Sequence, residues 1–283
     1  MKSWVVRCFL MRAAASFALL AVGLFCTGAW AEIETADNPE ANPVWQKVRA
    51  SLFKSRPIAA ASDDVISLVV PARAEDAAIV PIAIHTRLLQ TPTRYIDKVY
   101  LIIDNNPSPI SAIFQFTPQS GRADIETRVR VDEYTHVRAI AETNDGRLHM
   151  ATAFVKASGG CSAPPGKDAQ AALASLGRMR LSVEGRAEDN QPQLAQLMIS
   201  HPNNSGLALD QVSRLYTPAY FVRQVNVSYA GVLVMSADVD FSISENPNFR
   251  FYFLPRGDGE LKAEVIDSHD LRFQSTLKYR RAQ

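Results

Sequence analysis

The 283-residue sequence lacks the residue patterns by which most enzymes announce themselves. Its five histidines, His85, His136, His149, His201 and His269, are far apart, and no Cys-x-x-Cys occurs, so no metal spacing can be read. A phosphate loop, a dinucleotide fingerprint and a Gly-x-Ser-x-Gly elbow are all missing, which leaves phosphoryl, hydride and acyl transfer without a signature. Net charge is nearly absent too, at +1, and gives no electrostatic case for nucleic acid or an anionic membrane. The longest apolar run, 13–27, falls short of the roughly 20 residues that span a bilayer. No catalytic residue, metal ligand or cofactor is expected from these patterns.

Cysteine is scarce as well. Of three, Cys8 and Cys26 lie in the first thirty residues, and those residues have a secretory layout. Lys2, Arg7 and Arg12 give a basic start, the apolar run follows, and Ala29-Trp30-Ala31 reads as a small-x-small cleavage site. Leu24-Phe25 before Cys26 is too bulky for a lipoprotein signal. Residues 1–31 are expected to be a signal peptide and the protein periplasmic, with no membrane attachment after cleavage. Losing three basic residues takes the formal charge from +1 to −2. The mature chain then keeps one thiol, Cys161, and an unpaired cysteine in an exported protein calls for a reason.

What is present around Cys161 suggests one. Gly159 and Gly160 precede it, and Pro164, Pro165 and Gly166 follow. The glycines permit nearly any backbone conformation, and the prolines forbid a helix or ladder directly afterwards. Residues 158–176 are therefore expected to form a flexible arm and linker, with Gly159 and Gly160 supplying mobility and Cys161 held in the open. Its thiol is expected to be unshielded. Mobility is the opposite of what a catalytic cysteine needs, but it suits a carrier.

The flanking sequence is strand-like. Residues 32–42 read as polar and disordered, and Pro43 opens a short helix that Pro57 ends. From 65 the period changes to two, with strands expected over 65–71, 79–85, 98–104, 111–116, 123–131, 136–142 and 148–156. Ile125, Thr127, Val129 and Val131 alternate with Asp124, Glu126, Arg128 and Arg130, read as the solvated face. Asp104, Asp145, Asp238 and Asp240 are likewise read as solvated. Asn144-Asp145-Gly146 is a strong hairpin signal. Past the arm, 168–176 reads as two helical turns capped by Asp168. Strands are then expected over 179–183, 195–200, 220–229, 231–237, 248–254, 260–266 and 271–277. The fold class expected is all-β. Two immunoglobulin-like β-sandwich domains, 43–157 with the short N-terminal helix and 177–283, are joined by the Gly-Gly-Cys arm.

The motifs carry a family resemblance. Val137-Arg138-Ala139-Ile140-Ala141-Glu142 through Ser158-Gly159-Gly160-Cys161, with Asp104-Asn105-Asn106-Pro107 upstream, resembles SoxY, the sulfur-carrying subunit of the periplasmic thiosulfate-oxidising system. Ile199-Ser200-His201-Pro202, Thr217-Pro218-Ala219-Tyr220-Phe221 and Ser244-Glu245-Asn246-Pro247-Asn248-Phe249 resemble its partner SoxZ. The whole is similar to the SoxYZ-like fusion carriers associated with quinoprotein dehydrogenases. In SoxY the cysteine lies in a terminal Gly-Gly-Cys-Gly-Gly; here Ser162 and Ala163 replace the last two glycines, and the arm is tied at both ends. The resemblance implies a carrier, not an enzyme. Cys161 would be the covalent attachment point for a small sulfur-containing or other group. Its partners would be periplasmic redox enzymes: a quinoprotein dehydrogenase, a cytochrome c or Sox-type enzymes. A second function class stays open, a non-covalent docking module for such a dehydrogenase or its cytochrome.

Overall fold

The computed structural model describes residues 38–60, 65–164, 173–185, 190–211 and 213–280. The expected signal peptide lies outside these residues, as does most of the helix expected over 168–176. Residues 39–42 are ordered, contrary to expectation: Pro39–Ala41 form a 3₁₀ turn and Asn42 caps the helix α1, Pro43–Phe53. The Asn42 Oδ1 accepts the Val44 and Trp45 amides at 2.8 and 3.1 Å, and Pro43 at the first helical position gives up no bonded N–H. The chain leaves the helix at Lys54, which has φ +53°.

Fifteen strands follow among the described residues. The first half supplies β1 (Ile58–Ala60), β2 (Ile66–Val69), β3 (Val80–Thr86), β4 (Ile96–Ile103), β5 (Ile110–Phe116), β6 (Ile125–Val129), β7 (Thr135–Thr143) and β8 (Leu148–Val155). The second supplies β9 (Met179–Val183), β10 (Gln193–Ile199), β11 (Val222–Tyr229), β12 (Val232–Val239), β13 (Asn248–Phe253), β14 (Gly259–Asp267) and β15 (Arg272–Tyr279). Their alternation places every second side chain inward, as in β3 and β10. The hairpin expected at Asn144-Asp145-Gly146 joins β7 to β8, with Gly146 at φ +83°. The all-β class with a short N-terminal helix stands.

Alternation within strands does not reveal which strands pair across the halves. One sheet runs β1-β8-β7-β4-β5-β12-β11-β14-β15 and the other β2-β3-β6-β13-β10-β9. Each contains strands of both halves. In the first the seam is β5 against β12, from Met235 opposite Phe116 to Val239 opposite Ala112. In the second it is β6 against β13, with Arg250 opposite Glu126 and Phe251 opposite Ile125. The described residues from Pro39 onward accordingly form one compact unit, with a core that mixes residues of both halves. Phe114 and Phe249 meet across the seam edge-to-face, with ring centroids 6.3 Å apart.

The helix covers the outer face of the larger sheet. Trp45, Val48 and Phe53 pack with Tyr100, Ile102, Ile140 and Leu148. This explains why β7 is buried along almost its whole length. Under the helix sits Arg138, fully buried. Its Nε donates to Asp104 Oδ1 at 2.8 Å, its Nη1 to Glu40 Oε1 at 3.2 Å, and its guanidinium stacks 4.2 Å from the Trp45 ring. Asp104 is therefore not solvated, which corrects the reading from its position beside a turn. Burial pushes its carboxyl above the usual range, opposed by Arg138. Asp145 and Asp238 are exposed as expected.

Candidate carrier site

Cys161 lies where the two halves meet, beyond the end of β6. After Val129 the chain no longer pairs with a strand of its own half. Val129 bridges Ile243, and the Arg130 amide donates to the Ser242 carbonyl at 2.7 Å. The next residues turn their carbonyls toward the cysteine segment. Gly159 N donates to Asp132 O at 2.7 Å, Gly160 N to Val131 O at 3.0 Å and Cys161 N to Asp132 Oδ1 at 3.2 Å. From the second half, the Ser205 hydroxyl donates to the Cys161 carbonyl. The Arg130 Nη1 donates to Gly160 O and its Nη2 to Asn203 O, both at 3.3 Å.

Two asparagines brace this arrangement, one from each half. Asn106 Nδ2 donates to Arg130 O at 2.8 Å and to Ser242 Oγ at 3.1 Å, while its Oδ1 accepts the Asp132 amide at 3.0 Å. Asn203 Nδ2 donates to Ile243 O at 2.8 Å, and its Oδ1 accepts the Val222 amide at 2.9 Å. The motifs Asp104-Asn105-Asn106-Pro107 and His201-Pro202 thus lead into the same place. Asp104 anchors the loop to Arg138, and Asn106, two residues on, anchors it to the site.

The expectation of an open, mobile thiol is corrected. Cys161 is 0% exposed, and the residues before it are bonded into the fold. The glycines remain essential, for a different reason. A Cβ on Gly160 would stand 2.1 Å from the Ala77 carbonyl oxygen and 2.6 Å from that of Val131. The missing side chain therefore permits close approach of backbone to backbone rather than freedom. Gly159 takes φ +79°, a region costly to other residues. Ser162 and Pro164 are exposed, so the buried part of the segment ends at the cysteine. Residues 165–172 of the expected arm lie outside the described residues.

Burial decides the chemistry of the thiol. Loss of water around it, then the charge of Asp132, push its pKa up to about 12, opposed by Arg130. At neutral pH the thiolate fraction in this conformation is on the order of 10⁻⁵. None of the histidines hydrogen-bonds the thiol. His201 is buried with its Nε2 3.6 Å from Asp267 Oδ2, His85 lies 3.4 Å from Asp124, and His136 packs on Phe154.

Alternation misassigned two residues of the polar set around β6. Asp124 is only 4% exposed, its carboxylate accepting from the Thr86 amide at 2.9 Å and from Arg122 Nη2 at 2.6 Å. Arg130 is likewise only 4% exposed, because the chain has left the strand and turned into the seam. Asn203 and Ser205 were not singled out either. Position beside His201-Pro202 was the available signal for both.

Residues 49–161 match the family described as "Sulfur oxidation protein SoxY". Residues 179–278 match "Sulphur oxidation protein SoxZ". The chain joins a SoxY domain to a SoxZ domain. The SoxY match ends on the buried cysteine, and the protein is a sulfur-oxidation carrier protein rather than an enzyme. Among solved structures, the sulfur carrier protein SoxY from Chlorobium limicola is similar, with 23% identity and a TM-score of 0.34 over 40% of this chain and 91% of that one. Superoxide reductase (neelaredoxin) from Ignicoccus hospitalis is similar at 10% identity and a TM-score of 0.29, over 41% of this chain and 89% of that one. No curated protein sequence matches the chain.

Proposed function

We propose that this protein is a periplasmic carrier that holds a sulfur-containing group covalently on Cys161 and presents it to a redox enzyme. The observation that carries the reading is the way the segment is held. A single free cysteine closes the SoxY domain, fixed by five hydrogen bonds that also engage the SoxZ domain. Such bonds are individually weak, about 0.5–1.5 kcal/mol each, so the segment is poised to open as a unit. Opening returns the thiol to water and toward its ordinary pKa. Joining it to a sulfur atom is then a two-electron oxidation: the S–H bond breaks, an S–S bond forms, a proton goes to solvent and two electrons go to the redox partner. A quinoprotein dehydrogenase, its cytochrome c or a Sox-type enzyme is the partner we infer, from the resemblance of the fused chain.

The test is intact-mass analysis of protein purified without reductant, before and after reduction, followed by the partner reaction with Cys161→Ala. A reducible adduct on the peptide containing Cys161, and loss of partner turnover in the variant, are expected. Full turnover with Cys161→Ala would refute covalent carriage. One observation favours a second reading, a docking module with an incidental thiol: the thiol is fully buried and protonated. The same variant separates the two, since a docking module keeps its activity.

A further inference from the structure

Cys161 has no surface that water can reach, either from solvent or from a void inside the protein. The space around its Sγ is therefore filled, as protein interiors generally are, with no gap the size of a further oxygen or sulfur atom. The walls are main chain rather than movable side-chain ends. Gly160 is wedged between the Ala77 and Val131 carbonyls, and the Val131 amide ties those two stretches together by donating to Ala77 O at 2.8 Å. Asp132 holds the Gly159 and Cys161 amides, and Ser205 holds the Cys161 carbonyl. The segment nevertheless borders the surface, since Ser158 and Ser162 on either side are exposed. Upstream, the chain is fixed as far as Lys156, whose amide and carbonyl bond Ala72 and Ala74 at 3.0 and 3.1 Å. The bonds beyond Lys156 can be given up without breaking a strand.

We infer that the closed conformation belongs to the empty thiol alone. Loading Cys161 with a group of two or more heavy atoms, charged or not, releases the Gly159–Cys161 segment from the seam. Occupancy is thereby displayed on the surface, where the partner that unloads the carrier reads it. The inference rests on the carrier reading above and adds how that site is regulated. Each extra heavy atom forced into a filled interior shifts an equilibrium about 5–150-fold, so two atoms weigh against closure by about 30-fold to 10⁴-fold. The five bonds that favour closure do so by about 10²–10⁵, and they do not survive intact. Any retreat of Val131, Asp132 or Ser205 to make room lengthens the same bonds that hold the segment shut. An empty carrier, with thiol and segment both hidden, then does not compete with a loaded one for the unloading enzyme.

Amide hydrogen exchange on the wild-type protein tests this. Methyl methanethiosulfonate places an uncharged methylthio group on Cys161 in mild denaturant, which is then removed. The thiolate attacks the divalent sulfur, a disulfide forms, methanesulfinate leaves with the electron pair of the broken S–S bond, and the thiol proton goes to solvent. Deuterium uptake is followed at the Gly159, Gly160 and Cys161 amides and across the seam of β5 with β12. Without the group, the three amides are expected to exchange at least about 10²-fold more slowly than in denaturant. With it, their protection should fall at least about 30-fold while the seam keeps its own, and dithiothreitol should restore them. Cys161→Ala, which removes atoms instead of adding them, should keep most of the protection. Unchanged protection in the methylthio protein would overturn the inference. So would an equal loss in Cys161→Ala, since closure would then depend on the thiol and not on space, or a loss at the seam as large as that at the segment, since the two would not open separately. The outcome is separable from carriage itself. Unchanged protection together with no partner turnover by Cys161→Ala keeps the carrier and removes the switch, and the opposite pair of results keeps the switch and removes the carrier.

Discussion

The accessibility of Cys161 can be predicted as a number. In the closed conformation the segment makes five hydrogen bonds, from Gly159 N, Gly160 N and Cys161 N, and to Gly160 O and Cys161 O. At about 0.5–1.5 kcal/mol each, opening costs roughly 3–7 kcal/mol. If labelling proceeds only from the open state, the native rate should be about 10²–10⁵ times slower than in denaturant. The assay is the rate of alkylation by iodoacetamide at pH 8, with and without denaturant. Ser205→Ala removes one bond and should raise the native rate about 2–12-fold. Gly160→Ala should do far more, because its Cβ would meet two carbonyl oxygens that cannot both retreat; protection should fall to near that of the denatured chain. Equal native and denatured rates in the wild type would refute the buried-thiol reasoning. A Gly160→Ala protein as protected as wild type would refute the account of the glycine.

Other outcomes follow from the same contacts. The Cys161 pKa rises from its ordinary 9.0 to about 12 in the folded protein, so the closed state is fully favoured below about pH 9 and loses about 1.4 kcal/mol per pH unit above it. Wild-type stability in urea should decline between pH 9 and 11 with a slope that Cys161→Ala lacks. Arg138→Met strands Asp104 in the core and should cost about 3–5 kcal/mol, read as a fall of roughly 10 °C in Tm; a change under 2 °C would refute the buried-pair assignment. Phe249→Ala at the seam should cost about 3–5 kcal/mol and lower one cooperative transition, whereas two transitions with only one displaced would show that the halves unfold independently. If export follows the leader read in the sequence, periplasmic protein should begin at Glu32, and an intact Met1 terminus in the membrane fraction would count against it.

Local pattern determined much of this protein. The period-two runs, the turn at Asn144-Asp145-Gly146 and the helix that Pro43 opens each depend on residues within a few positions of one another, so they are legible along the chain. The importance of Gly159-Gly160-Cys161 was legible for the same reason, since nothing else in the sequence resembles it. What tertiary structure decided is every pairing between distant segments. Period two makes β5 and β12, or β6 and β13, equally fit to edge a separate sandwich, and only their register across the seam shows that they share sheets. Arg130 and Asp104 have the sequence context of solvated residues. They are buried because an arginine near β6 meets the carbonyls of Gly160 and Asn203, and because Arg138, thirty-four positions on, closes over Asp104. Glycine is the sharpest case: a missing Cβ permits motion and permits close packing equally, and the Ala77 and Val131 carbonyls beside Gly160 are what made it the second.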